Sequence, residues 1–356
     1  VTPVTLAERA LELIRIPSVI GGEQALADHV EAWARRHFAA GEVRRVGHSL
    51  VLGPAVDPRP TLLLVGHLDT VPVHPESRPA GLEGDRLYGL GSSDMKGALA
   101  VMQALAEALP RATLPVNLRL VLYEREEGPY LESGLGPLFA AAPELARAAF
   151  AIAMEPTDGA VQVGCVGSLH ATLRFAGQAA HSARPWQGKN AIHAAGSVLS
   201  DLAARERVPV VAGGHTFFEV MSATLAKGGR ARNVVPEHFE LNLNYRFAPG
   251  KSVDEAKADV EALVAGRAAV EFTDLAPSGR VCADNRYFQA LERLSGRPAE
   301  AKQAWTDVAR LSDWGVDAVN FGPGETAQAH QRDESASVGA LGRAYDVLAE
   351  LLTRGA

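Results

Sequence analysis

Thr61-Leu62-Leu63-Leu64-Val65, closed by Pro60 on one side and by Gly66-His67-Leu68-Asp69 on the other, decides how the rest of the chain is read. A short continuous apolar run between turn residues reads as a strand buried on both faces. Three more such runs follow, Val116 to Tyr123, Ala149 to Met154 and Val316 to Phe321. Helical spacing of apolar residues marks Leu6 to Ile14, Gln24 to Phe38 and Met95 to Leu109. Strands alternating with helices predict an α/β fold around a mostly parallel sheet.

From about Ser168 to Leu275 the pattern changes. His170-Ala171-Thr172-Leu173-Arg174-Phe175 and Glu240-Leu241-Asn242-Leu243-Asn244-Tyr245-Arg246 alternate polar with apolar residues, so these strands have one wet and one packed face. Strands at 168–176, 217–226, 238–247 and 269–274 interleave with helices at 191–204 and 253–264, the β-α-β-β-α-β order of a ferredoxin-like α+β domain. The expected organisation is a first domain of residues 1–166 and 276–356 interrupted by a second of residues 167–275.

Composition narrows the function classes. With 47% hydrophobic and 22% charged residues over 356 positions, the chain has ordinary globular usage and enough length for two domains. The net charge of −7 is spread without a basic block, which argues against nucleic acid as a partner. No apolar window is long enough for a membrane span, and the N-terminus has no basic stretch leading into an apolar run. Cys165 and Cys282 are too few for a disulfide scaffold, which suits a reducing, cytoplasmic setting.

The chemistry follows the strands. His67 comes after the first run, Glu126-Glu127 after the second, Glu155 after the third, and His330 in the loop after the fourth. Ligand sites in open α/β sheets lie outside the carboxyl ends of the strands, so these residues belong on one edge. Asp94 stands where the helix from Met95 begins, and alone it would read as a helix cap. Together with two His and further carboxylates it completes a nitrogen and oxygen donor set suited to zinc, cobalt or manganese. If one carboxylate bridges, each of two metals has three protein ligands and an open position. Asp69, two residues beyond His67 on an extended segment, is placed to accept the other imidazole N–H. Of Glu126 and Glu127 only one need bind metal, which leaves the other to act as a base. An acidic pair on its own would read as a solvated loop.

Gly66-His67-Leu68-Asp69-Thr70-Val71-Pro72, Ser93-Asp94-Met95-Lys96-Gly97, Glu126-Glu127-Gly128, Met154-Glu155-Pro156-Thr157 and Ala329-His330 resemble, in order, the motifs of the dizinc aminoacylase and carboxypeptidase family. That family includes acetylornithine deacetylase and succinyl-diaminopimelate desuccinylase. The resemblance implies a zinc-peptidase-like catalytic domain and an inserted lid domain through which two subunits form a homodimer. It implies two zinc ions per subunit, replaceable by cobalt, with Asp94 bridging, His67 and Glu155 on one ion, and Glu127 and His330 on the other. It makes Glu126 the catalytic base, and His181 a residue that reaches the partner's active site to stabilise the oxyanion.

Within the family, the stretches Met154 to Gly159, Ala180 to Trp186, Asn244 to Pro249, Trp305 to Arg310 and Asn320 to Glu325 are most similar to actinobacterial-type succinyl-diaminopimelate desuccinylases. Such a small N-acyl amino acid substrate would carry three carboxylates. Arg184, Arg246 and Arg232 could clamp these as forked cations, while Ser168, Asn233 and Thr306 fall where family members hydrogen-bond substrate. The chain departs from some desuccinylases at Cys165-Val166-Gly167-Ser168, where an arginine is missing, and at Arg232, which replaces an asparagine. Both departures leave the metal chemistry untouched and bear on acyl specificity, so an acetylornithine or acetyl-lysine deacetylase or a dipeptidase of the same family is the alternative. From a different class, a non-catalytic metal-binding homologue would be favoured by loss of the base, but Glu126 is present.

Overall fold

The run that begins at Thr61 forms a strand, Thr61–His67, in an eight-stranded sheet. The computed structural model describes residues 1–356, which separate into two compact units: Val1–Gly164, Arg280–Lys302 and Thr306–Ala356 form one, and Cys165–Gly279 with Gln303–Trp305 the other.

In the first unit the strand order is Val43–Val46, Ser49–Leu52, Asn117–Tyr123, Thr61–His67, Phe150–Ala153, Ala318–Asn320, Gln162–Val163, Glu300–Ala301. The four strands at its centre, Asn117–Tyr123 to Ala318–Asn320, are mutually parallel. They are mostly apolar because both faces are covered, with Asn117, Arg119 and Asn320 among the buried polar exceptions. Leu62, Leu64, Leu118, Leu120, Leu122, Phe150, Ile152 and Val319 share one core with the helices Pro3–Ile14, Gln24–His37, Lys96–Ala108, Arg286–Ser295 and Val338–Arg354. Their neighbours Leu63, Val65, Val121 and Ala151 are equally buried on the opposite face. Lys96–Ala108 is buried on nearly every side, which explains its run of Ala, Leu, Val and Met. Thr2 caps Pro3–Ile14 reciprocally with Thr5, and Pro3 occupies the first turn, where its missing N–H costs nothing.

The second unit is an antiparallel five-stranded sheet in the order Val208–Ala212, His215–Gly228, His238–Phe247, Gly167–Ala176, Ala269–Ala276. Leu169, Leu173, Leu241, Leu243 and Tyr245 pack beneath helices that include Gly196–Ala204 and Val253–Val264. The last four strands follow the ferredoxin-like order. Val208–Ala212 is an additional edge strand, turned back by Gly213 and Gly214, whose positive φ angles (55° and 84°) suit the twist of a two-residue hairpin. The single helix expected at 191–204 is two, Ala191–Ala194 and Gly196–Ala204, broken beside Gly196, where helix propensity is low.

No helix is long and apolar enough to cross a membrane. Cys165 and Cys282 are buried thiols.

Candidate metal centre

Parallel strands end on the same edge of a sheet, so the residues that follow them meet. His67 is the last residue of its strand and pairs with Tyr123, the last of the next; Glu126 and Glu127 lie just beyond Tyr123, and Glu155 just beyond Ala153. Asp94 joins them from the loop before Lys96–Ala108, and His330 from the segment after Ala318–Asn320.

Asp94 stands between the two imidazoles. Its Oδ1 lies 3.1 Å from His67 Nε2 and its Oδ2 3.4 Å from His330 Nε2, while Glu127 Oε1 is 3.0 Å from the same His330 nitrogen. Donor atoms fall within 4.8 Å of one another in three overlapping groups: His67, Asp94 and Glu155; Asp94, Glu127 and His330; His67, Glu126 and Glu127. The first two share Asp94. Asp94 is not the cap of the following helix, because that helix begins at Lys96 with Met95 in the cap position and without a side-chain cap bond.

Asp69 differs from its expected role in one respect. His67 Nδ1 is 3.0 Å from the Asp69 main-chain oxygen and 3.6 Å from its carboxylate, so the backbone carbonyl takes the imidazole N–H. That leaves Nε2 facing Asp94. The Asp69 carboxylate accepts the backbone N–H groups of Glu126 (3.0 Å) and Glu127 (2.9 Å), orienting the acidic pair. The carboxylate is taken up by the two adjacent N–H donors of the loop, which leaves the main-chain oxygen to meet the imidazole.

The electrostatics favour a divalent cation. Burial, then the nearby Glu155 carboxylate, pushes the Glu126 carboxyl well above the usual carboxylate range. Burial and Asp94 push Glu155 up to about 7. Burial opposes the charge on Asp94, yet hydrogen bonds from His330 and His67 hold its carboxyl far below the ordinary value. Asp94 and Glu127 raise His330 to about 10. Burial would lower His67, and its carboxylate neighbours reverse this and raise it well above normal. Buried carboxylates are costly without opposite charge. The carboxylates raise the proton affinity of both imidazoles, and divalent ions would supply the opposite charge that the site calls for. Two nitrogen and four oxygen side chains without thiolate fit zinc, cobalt or manganese.

Of the other anticipated residues, Thr306 is buried in the first unit beside Asp307. The rest lie in the second unit. His181 and Asn233 are brought together where Ala180–His181 pairs with Val234–Val235 and Ser182 N donates to the Asn233 carbonyl at 2.9 Å. His181 Nδ1 accepts the Ala183 N–H at 3.1 Å, and Arg184 N donates to the His181 carbonyl at 2.8 Å. Arg184 and Arg232 are exposed. Ser168 and Arg246 form a separate pair, opposite one another on adjacent strands. Burial lowers the pKa of the Arg246 guanidinium.

Sequence reasoning missed two supports. Asp307, fully buried, accepts from Tyr123 Oη at 2.6 Å and Arg310 Nε at 2.7 Å, anchoring the strand end that precedes the glutamate pair. Glu334, also buried, accepts backbone N–H groups of the Asp94 loop. Gln331-Arg332-Asp333-Glu334 reads locally as a solvated charged loop, so no sequence signal singled Glu334 out.

An α/β sheet with a donor set for divalent metals at its carboxyl edge defines a metal-dependent enzyme of the zinc-peptidase-like kind. The model of Peptidase family M20/M25/M40 matches residues 63–354, and the chain belongs to this family of metal-dependent hydrolases. It is 39% identical over 346 residues to a Mycobacterium tuberculosis protein named "Putative succinyl-diaminopimelate desuccinylase DapE", covering 97% of both chains. It is 35% identical over 343 residues to the succinyl-diaminopimelate desuccinylase of Corynebacterium glutamicum, covering 94% of this chain and 92% of that one. A solved tripeptidase from Staphylococcus aureus matches with a TM-score of 0.80 at 19% identity, covering 99% of this chain and 98% of that one, which shows the shared fold.

Proposed function

We propose that the chain hydrolyses the amide of N-succinyl-L,L-2,6-diaminopimelate to succinate and the free diamine, a step of lysine and diaminopimelate biosynthesis. The observation that carries this reading is the near full-length similarity to proteins bearing that activity's name. The donor groups support it: His67, Asp94 and Glu155 would hold one divalent ion, and Asp94, Glu127 and His330 the other. When bound, two zinc ions supply Lewis acidity toward the attacking water and the amide carbonyl.

Glu126 is the base. Its backbone is held by Asp69, and its buried carboxyl has a high proton affinity, so its carboxylate oxygen takes a proton from the attacking water and later delivers it to the departing amine nitrogen. His67 is kept in one orientation by its Nδ1 bond to the Asp69 carbonyl. In the second unit, Arg246 and Ser168, and the group of His181, Arg184, Arg232 and Asn233, offer the cations and hydrogen-bonding groups that a multiply anionic substrate needs. We assign this unit, as residues 167–275, the role of lid and homodimer interface, with His181 stabilising the oxyanion in the partner's site.

Turnover of succinyl-diaminopimelate, acetylornithine, acetyl-lysine and dipeptides, with zinc and with cobalt added, tests the substrate. Succinyl-diaminopimelate should give the highest kcat/KM, and a preference for any other member would overturn the reading. Glu126→Gln should lower kcat by at least about 10²–10⁴-fold while metal content stays near that of the wild type. Retained activity would remove Glu126 from this role.

A further inference from the structure

We propose that Glu334 is a positioning residue of the metal centre, whose carboxylate holds the backbone carrying Asp94 and so sets where the Asp94 carboxylate stands between His67 and His330. This rests on the reading that these residues bind two divalent ions.

Glu334 is 2% exposed. Its Oε2 accepts the Gly91 N–H at 2.9 Å, and its Oε1 accepts the N–H groups of Ser93 at 2.8 Å and Asp94 at 3.0 Å. Its main-chain oxygen also accepts the Gly89 N–H at 3.0 Å. A carboxylate taken out of water loses several kcal/mol of hydration, in order of magnitude, unless donors replace the lost water. Here three backbone N–H groups converge on it. A loop that needed only to be closed could be closed by backbone turns. A buried carboxyl group gathering donors from three of four consecutive residues fixes their orientation as well.

The same residue serves the other arm of the centre. Glu334 is four positions beyond His330, which adopts the left-handed region with φ 64°, uncommon for a residue other than glycine. Directly after Glu334, Ser335–Ser337 pairs with Arg86–Tyr88, which anchors the segment on its C-terminal side. Glu334 therefore joins the His330 segment to the Asp94 loop. The Asp94 N–H it binds is one bond from the Asp94 Cα, so displacement of that N–H moves the carboxylate with it. Ser93 adds a separate tie, its Oγ accepting from Glu325 N at 2.6 Å and donating to the Glu325 carbonyl at 3.2 Å. This tie does not involve the Glu334 side chain and so is left in place by substitutions there.

The substitutions are graded by acceptor count. Glu334→Gln retains one oxygen for the Ser93 and Asp94 N–H groups but turns an NH₂ toward an N–H donor. Glu334→Ala removes every side-chain acceptor. Metal-free wild type, both variants and the core control Leu348→Ala, which is none of the donor residues and is buried on Val338–Arg354, are titrated with Co²⁺ and followed by visible absorption. Urea unfolding of the metal-free proteins measures stability in parallel.

The wild type should bind two Co²⁺. Cobalt affinity should fall about 10-fold in Glu334→Gln and about 100-fold in Glu334→Ala, the range found for groups that orient metal ligands. The cobalt bands should shift, and kcat should fall with KM within about twofold. Leu348→Ala should lose stability and keep wild-type cobalt affinity. Wild-type cobalt affinity and bands in Glu334→Gln would overturn the proposal, as would a loss of affinity in Leu348→Ala matching its loss of stability. If Glu334→Ala does not fold, the Gln variant and the control decide the matter. A wild type that takes up no cobalt would overturn the two-metal reading itself, whereas normal wild-type uptake with an unaffected Glu334→Gln would overturn only the role of Glu334.

Discussion

Asp69 does three jobs with one fully buried side chain and one carbonyl: it orients His67 and holds the N–H groups of Glu126 and Glu127. Asp69→Asn puts an NH₂ against one of those N–H groups while leaving the His67 bond in place. We predict a kcat loss of about 10–100-fold with metal content near wild type, read by steady-state kinetics and metal analysis. Gly322 matters through what it lacks. A Cβ there would run into the carbonyl oxygens of Met154 and Glu155, so the segment after Ala318–Asn320 can pass Glu155 only as glycine. Gly322→Ala should destabilise the protein by about 1–3 kcal/mol in urea unfolding and weaken metal uptake by displacing Glu155. Unchanged stability and uptake would show that the backbone yields there without cost.

At the scale of the element, the central strands align the site because parallel neighbours finish on one edge, and register then places His67 beside Tyr123. The helices tolerate more change. Val253–Val264 is opened by a reciprocal cap in which Ser252 Oγ accepts from Glu255 N and the Glu255 carboxylate accepts from Ser252 N. Ser252→Ala should cost about 1 kcal/mol in urea unfolding and leave metal content unchanged. A loss of metal would mean that this helix supports the centre.

For the molecule as a whole, the site couples pH to stability. Glu155 is raised from 4.5 to about 7 and His330 from 6.5 to about 10, so the metal-free folded state binds more protons than the unfolded state between those limits. A raised His stabilises the fold below its unfolded value and loses that contribution as pH rises through its folded value. A raised Glu likewise makes the folded state less favourable as pH climbs from its unfolded value toward its folded one. Asp94 acts in the opposite sense, its contribution being lost only as strong acid titrates its lowered carboxyl. The chelated protein should therefore lose Tm as pH rises from about 5 to about 9, while zinc uptake, which expels those protons, should tighten over the same interval. Differential scanning calorimetry with and without chelator checks the sign, and a chelated Tm that rose with pH would contradict it.

The sequence by itself determined the buried parallel strands, the change of period near Ser168 and the gathering of His67, Glu126, Glu127, Glu155 and His330 at strand ends, because apolar period and strand polarity are local properties. The family resemblance added the place of Asp94 and the choice between Glu126 and Glu127. The extra edge strand Val208–Ala212 escaped notice because Pro209 and the polar flanks suppress strand signals, although a proline is tolerated on an edge. Only the tertiary structure decided which oxygen of Asp69 meets His67, that Asp94 leaves the helix cap to Met95, and that Glu334 and Asp307 are buried at the site. Each of these depends on which donors from distant segments converge on a carboxylate, and that is set by three-dimensional proximity and desolvation rather than by any neighbour along the chain.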